Sequence, residues 1–276
     1  MPGGAAWLER LPGLIAECTA QWSLQLGAPF DAHVSYVTPA TLPDGRRAVL
    51  KINFPEEESE HEADGLEHWD GDGAARLLAH DPSRRALLLE RLEPGTQLWE
   101  IPDEEDANAI AAGVLRRLWR PAPQNHRFKL LPDMAARWER TIPELWERQG
   151  KPFEAELLDW MRIDPRPEER FVLHQDFHGG NVLLSERGWL AIDPKPLVGE
   201  REFDTASLVR DRRPELMTDR DAPARLGRRL DQLSAELSLD RERMRHWAIV
   251  HTIAWGIDED YYGEEHIACA RWLVDA

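Results

Sequence analysis

The stretch from residue 171 to residue 204, FVLHQDFHGGNVLLSERGWLAIDPKPLVGEREFD, constrains this chain more than any other. Asp176 and Asn181 stand on a loop that also holds Gly179 and Gly180. Two apolar runs follow, 181–184 and 189–192. They flank Ser185-Glu186-Arg187-Gly188, a turn whose glycine suits a positive φ. The pattern predicts a hairpin, and a hairpin brings its two ends together. Asp193, at the end of the second run, is returned toward the loop that carries Asp176 and Asn181. Three oxygen-bearing side chains then converge on one small volume. Asn181 and Asp193 suit Mg²⁺, which takes one or two protein carboxylates together with phosphate oxygens. Asp176 stands where it can accept a hydrogen bond from an attacking hydroxyl. Metal on the terminal phosphates and a carboxylate on the nucleophile is the division of labour that phosphoryl transfer requires.

The same chemistry needs a cation on the α- and β-phosphates. Lysine is scarce here: of 34 basic residues only Lys51, Lys129, Lys151 and Lys195 are lysines. Lys51 follows Val49-Leu50 in a run that reads as a strand. Glu62 comes eleven residues later, on a helix expected over 56–69 whose acidic first turn suits the helix dipole. A strand lysine held by a glutamate of the neighbouring helix is the ion pair of a kinase phosphate clamp.

The order Lys51, Glu62, His174-x-Asp176-x-x-x-x-Asn181 and Asp193 resembles the protein-kinase-like fold in its aminoglycoside phosphotransferase branch. Within that branch, Ile192-Asp193-Pro194-Lys195-Pro196-Leu197-Val198-Gly199 with Phe203-Asp204 is similar to the streptomycin 6-kinase and hydroxyurea phosphotransferase group. So are His61-Glu62-Ala63-Asp64 and Trp69-Asp70-Gly71-Asp72-Gly73. The likeness runs from about residue 30 to 255 and is strongest at 171–204. It implies that Asp176 is the catalytic base or hydroxyl positioner and that Asn181 and Asp193 are the magnesium ligands. It implies that Lys51 clamps the phosphates of ATP with Glu62 as its partner, and that the backbone at Glu90, Arg91 and Leu92 touches the adenine. Three departures stand out. No G-x-G-x-x-G loop covers the phosphates; residues 34–45 stand there with Pro39 and Pro43. Lys195 occurs two residues after the metal aspartate, where glycine is usual. Gln175 fills the middle of the catalytic triplet, where this branch more often has glycine.

The remaining pattern fits that frame. Residues 5–26 read as an amphipathic helix, 30–37 as a strand, and 75–79 and 86–92 as two more strands. Beyond Glu93-Pro94-Gly95 helical periodicity dominates, at 103–119, 132–148, 153–163, 203–210, 223–237 and 240–257. The expected fold is α+β and two-lobed: residues 1–93 an antiparallel-sheet lobe that binds nucleotide, and 94–276 a mainly helical catalytic and substrate-binding lobe. The formal net charge of −17 argues against a nucleic-acid or anionic-membrane binder, since phosphates need a basic face. Two cysteines are too few for a disulfide framework and point to a cytoplasmic protein.

Other readings stand beside this one. Asp and Asn favour turns, so any one of the three site residues taken alone reads as a turn residue. Lys195 divides between a salt bridge and a phosphate contact. His174-x-Asp176-x-His178 is a metal-binding pattern of a different class, a metal-dependent hydrolase or oxygenase, but it leaves Lys51, Asn181 and Asp193 idle. A non-catalytic nucleotide-binding pseudokinase would retain the fold, though the complete residue set speaks against it. Trp255, Asp258, Glu259 and Asp260 together offer an aromatic face and carboxylates to a cationic substrate. The expected activity is ATP- and Mg²⁺-dependent phosphorylation of a small-molecule hydroxyl. Streptomycin is the leading substrate; another hydroxyl-bearing metabolite is the alternative.

Overall fold

The computed structural model describes residues 3–32 and 34–276; the strand expected over 30–37 runs across residue 33, which lies outside them. Five antiparallel strands form the first sheet, in the order Gln25–Leu26, Ser35–Thr41, Arg47–Asn53, Ala86–Glu90, Leu77–Asp81. Side chains alternate across a strand. Ala48, Leu50 and Ile52 of the central strand therefore bury one face against Cys18 and the apolar stripe Trp7, Leu11, Leu14 and Ile15 of the helix Gly4–Trp22. Val49, Lys51 and Asn53 fall on the other face. The strand runs on to Thr41, beyond the expected end at residue 37.

The helix Glu62–Trp69 covers that second face, with Leu66 and Trp69 buried beside Leu87 and Leu89. It starts later than expected. Residues 56–61 form turns because their carbonyls find other partners: Lys129 Nζ donates to the Glu57 carbonyl at 2.6 Å, and Arg85 Nη2 donates to that of Glu56 at 2.8 Å. A helix cannot propagate through carbonyls already taken.

The segment 69–73 joins this layer to the rest of the chain. Trp69 is fully buried and its indole N–H donates to the Leu118 carbonyl at 2.7 Å. Asp72 pairs with Arg117 at 2.8 Å and with Arg120. Gly73 has φ +89°, and its carbonyl accepts from the Ala191 N–H at 2.8 Å.

Past Glu90 the chain changes sheets. Pro94–Gln97 pairs with Val182–Ser185, which pairs in turn with Gly188–Ala191, the predicted hairpin. A third sheet sets Phe171–Leu173 against Leu197–Gly199. Around these pack the helices Glu104–Leu118, Leu131–Arg148, Ala222–Leu237, Arg241–Gly256 and Glu264–Val274. Leu226, Leu230, Leu233 and Leu237 are buried, as their spacing requires. The stretch 153–163 is a tight 3₁₀ turn, Ala155–Met161, and 203–210 divides into Arg201–Asp204 and Ala206–Val209. The helix Glu264–Val274 had no clear sequence signal, because its acidic start merges with the charged run before it. No helix among the described residues is long and apolar enough to cross a membrane.

Gly73→Ala puts a Cβ 2.9 Å from Leu118 Cδ2 at a left-handed φ. The variant is expected to lose about 1–3 kcal/mol, read as a lowered urea midpoint with unchanged slope.

Candidate active site

Lys51 is brought to its partners by strand alternation and Glu62 by the first turn of its helix. Lys51 Nζ donates to Glu62 Oε1 at 2.7 Å and Oε2 at 2.8 Å, and Asn53 Nδ2 donates to Glu62 Oε2 at 2.7 Å. Lys51 and Glu62 are 6% and 1% exposed. Lys51 Nζ also donates to Asp193 Oδ1 at 2.5 Å, across 142 residues of sequence. Burial pulls the ammonium down, but the Asp193 and Glu62 carboxylates outweigh it and hold Lys51 above its ordinary range. Burial likewise works to raise Asp193, and Lys51 and Lys195 more than reverse it. Asp193 has φ +56°, a backbone state Asp tolerates better than most residues.

The catalytic-loop residues meet the same point. Asn181 Nδ2 donates to the Asp176 carbonyl at 3.0 Å, and the Ile192 N–H donates to the Asn181 carbonyl at 2.9 Å. This cross-link turns the amide of Asn181 so that its Oδ1 accepts from no group among the described residues. Asp176 Oδ2 accepts from Lys195 Nζ at 2.7 Å, while Oδ1 has only His178 Nε2, at 3.9 Å. Burial raises the Asp176 carboxyl, and Lys195 and His178 outweigh it, so it is held below its ordinary range.

One residue beneath the loop fixes its path. Asp204, fully buried, accepts from the backbone N–H of His174 at 3.1 Å, that of Gln175 at 2.7 Å and the Trp119 indole at 3.0 Å. Burial without a cationic partner pushes its pKa up to about 6, against the pull of those donors. Gln175 has φ +69°. That left-handed conformation costs a side chain about 1–2 kcal/mol and explains why glycine is common at this place. The anchoring role of Asp204 was not legible in the sequence, since its partners lie 29, 30 and 85 residues away.

The alternative metal cluster does not assemble. His174 is fully buried, stacked on Trp69, and its Nε2 lies 2.9 Å from the Ile192 carbonyl. Burial lowers its pKa to about 4. His178 Nδ1 accepts from the Gly180 N–H. Among the described residues no group of three His, Cys, Asp or Glu side chains is arranged to hold a metal unaided. A divalent ion that completes its shell with phosphate oxygens fits better. The free Oδ1 of Asn181 and the second oxygen of Asp193, a side chain 46% exposed, are both hard ligands. The charge balance agrees: Glu62, Asp176 and Asp193 carry three negative charges against the two of Lys51 and Lys195.

Glu90 pairs with Ala48 across the sheet, and its carboxylate accepts from the Arg76 N–H at 2.8 Å and from Arg187. Its side chain is therefore structural. The Arg91 N–H donates to the Arg47 carbonyl. The Leu92 N–H has no partner among the described residues. Leu92 itself packs with Ala75 and Leu190, bordered by Leu183 and Ile192, an apolar floor of the kind a purine ring needs.

A cavity of about 420 Å³ opens beside Lys195 and Gln175. Trp138, Trp255, Tyr261, Glu57, Glu58 and Asp258 are among its lining residues. Trp255 stacks on buried His251 with ring centroids 4.0 Å apart. Trp255 and Asp258 thus face the cavity; Glu259 and Asp260 are not part of its lining. Glu259 instead stands 3.6 Å from Arg148 on an exposed turn. Glu57 and Glu58 were missed, because their contribution depends on the unwound segment 56–61.

A family model described as aminoglycoside/hydroxyurea antibiotic resistance kinase matches residues 21–260. The streptomycin 6-kinase of Streptomyces glaucescens is 37% identical over 267 residues, 93% of this chain and 86% of that one. The hydroxyurea phosphotransferase of Kitasatospora aureofaciens is 37% identical over 291 residues, 99% of this chain and 82% of that one. A crystal structure of a spectinomycin phosphotransferase in complex with ADP and spectinomycin matches with a TM-score of 0.57 and 13% identity, over 96% of this chain and 93% of that chain. At that identity the likeness speaks for the fold, a two-lobed α+β kinase-like architecture.

The lowered pKa of His174 sets a pH dependence. An unfolded histidine near 6.5 binds its proton before the folded one at about 4, so stability is lost as pH falls below 6.5. Relative to His174→Gln, the wild type is expected to lose about 2 kcal/mol between pH 7.5 and pH 5, measured by urea unfolding at each pH.

Proposed function

The chain belongs to the aminoglycoside/hydroxyurea antibiotic resistance kinase family, phosphotransferases with a hydroxyl acceptor, and on that premise we propose that it transfers the terminal phosphoryl group of Mg²⁺-bound ATP to a hydroxyl of a streptomycin-type aminocyclitol glycoside. The observation that carries this reading is a chain of contacts: Lys51 bonds Asp193, the Ile192 N–H next to Asp193 bonds the Asn181 carbonyl, and the Asn181 amide bonds the Asp176 carbonyl.

In this reading Lys51, locked by Glu62, neutralises the α- and β-phosphates. Asn181 and Asp193 would hold the divalent ion, which would supply charge neutralisation to the terminal phosphates when bound. The free Oδ1 of Asp176 receives the hydroxyl hydrogen and aligns the oxygen for in-line attack. The Leu92 N–H and the carbonyl of Glu90 are the polar contacts for adenine above the Leu183–Ile192 floor. We put the boundary between the nucleotide lobe and the acceptor lobe at 93–94, between Ala86–Glu90 of the first sheet and Pro94–Gln97 of the second.

The acceptor side supports a cationic substrate. Glu57, Glu58 and Asp258 line the 420 Å³ cavity together with Lys129, Arg137 and Lys195; Glu57 is paired with Lys129 and Arg137, each at 3.0 Å, so Asp258 and Glu58 are the carboxylates left to a cationic group, beside the aromatic faces of Trp138, Trp255 and Tyr261. Guanidinium groups bind such surfaces through paired carboxylates and ring stacking. A nucleotide-dependent enzyme with two free, buried thiols fits a cytoplasmic setting.

Purified protein with Mg²⁺-ATP is expected to release ADP when streptomycin is added, in a screen that includes other aminoglycosides and small hydroxyl compounds. Asp176→Asn should lower kcat about 10²–10⁴-fold with nucleotide affinity nearly intact. Asp193→Ala should abolish the Mg²⁺-dependent part of nucleotide binding measured by calorimetry. The KM for a dicationic acceptor should rise with added salt, and a flat dependence would contradict a role for the Glu58 and Asp258 carboxylates in holding it.

A further inference from the structure

Lys195 is unexplained by the roles assigned so far. It is 19% exposed at its side chain, and its ammonium lies 2.7 Å from Asp176 Oδ2, with Glu58 at 3.9 Å. Its place is fixed by backbone. The Lys195 N–H donates to the His174 carbonyl at 3.0 Å. Pro194 and Pro196 flank it with restricted φ. Pro196 packs so closely on Gly65 that a Cβ there would meet its Cγ at 2.4 Å. The next strand, Leu197–Gly199, is paired with Phe171–Leu173. An ordinary surface lysine has none of this scaffolding, and an exposed ion pair would contribute little.

We infer that Lys195 is a positioning residue for the reaction, acting through Asp176. The inference rests on the phosphotransferase reading above. A carboxylate has two equivalent oxygens and a freely turning plane. The ammonium occupies Oδ2, fixes that plane, and leaves Oδ1 as the one oxygen for the substrate. It also offsets the negative charge of Asp176 where a polyanionic triphosphate must approach. As the hydroxyl oxygen bonds to the γ-phosphorus, its hydrogen passes to Asp176 Oδ1. The bond from that phosphorus to the bridging oxygen breaks, and its electron pair leaves with the nucleoside diphosphate. Lys195 keeps its protons throughout. Its position two residues after Asp193 lets one rigid loop serve both the metal site and the base.

The test is a double-mutant cycle on the full chain, with kcat and KM measured for the best acceptor of the screen. Lys195→Met is expected to lower kcat roughly 100-fold with KM for ATP within about threefold, a drop on the scale of losing one oriented electrostatic contact. Lys195→Arg should recover part of that loss. Lys195→Ala should be partly rescued by millimolar ethylammonium, a response that a packing defect does not give. In the Asp176→Asn background Lys195→Met should cost less than threefold, because its route of action is already gone. Full additivity of the two substitutions, or wild-type kcat in Lys195→Met, overturns the inference. If Lys195→Met fails to fold, Lys195→Arg and the ethylammonium titration of Lys195→Ala decide in its place. Absence of phosphoryl transfer by the wild type with every acceptor would instead defeat the functional reading itself, so the two failures are distinct.

Discussion

A charged lysine enclosed by protein is the constraint around which the site is organised. Lys51 is almost wholly shielded from water, and an unpaired ammonium there would be prohibitively unstable. Glu62 and Asp193 satisfy it from two other regions of the chain, one on a helix and one on a hairpin end. The strand, the helix and the hairpin must therefore close on each other before the charge is accommodated. Fold formation and site formation are the same event at this point.

The second constraint lies under the catalytic loop. Asp204 holds two consecutive backbone N–H groups, and this forces Gln175 into a left-handed conformation that its side chain disfavours. The local cost is offset by the hydrogen bonds to a buried carboxylate. In return the loop presents Asp176 and Asn181 in one fixed relation, with the Asn181 amide cross-linked to the Asp176 carbonyl. Rigidity of this kind is what a reaction driven by positioning and electrostatics needs, since little covalent chemistry is left to the protein.

The acceptor side is built differently. Its carboxylates come from an unwound segment, 56–61, and from the short hairpin after a long helix, while its aromatic faces come from two helices and that same hairpin. The segment 56–61 is unwound because Lys129 and Arg85 take the carbonyls of Glu57 and Glu56, which a continuing helix would need. The joint at 69–73 carries the connection between the sheet and the helical body through an indole hydrogen bond, an Asp–Arg pair and a left-handed glycine.

The sequence by itself determined the set of residues on which the proposed chemistry rests: a strand lysine, a helix glutamate, and Asp176, Asn181 and Asp193 spaced so that a hairpin returns one to the others. Those features are local, and local periodicity and turn geometry suffice to read them. It also determined the family resemblance and the alternating strand that aims Lys51 away from the Leu50 face. Only the tertiary structure decided that Lys195 reaches Asp176, that Asp204 anchors the loop, and that Glu57 and Glu58 rather than Glu259 and Asp260 border the cavity. Each of these depends on contacts between segments whose separation along the chain carries no periodic signal, so no pattern in the letters could announce them.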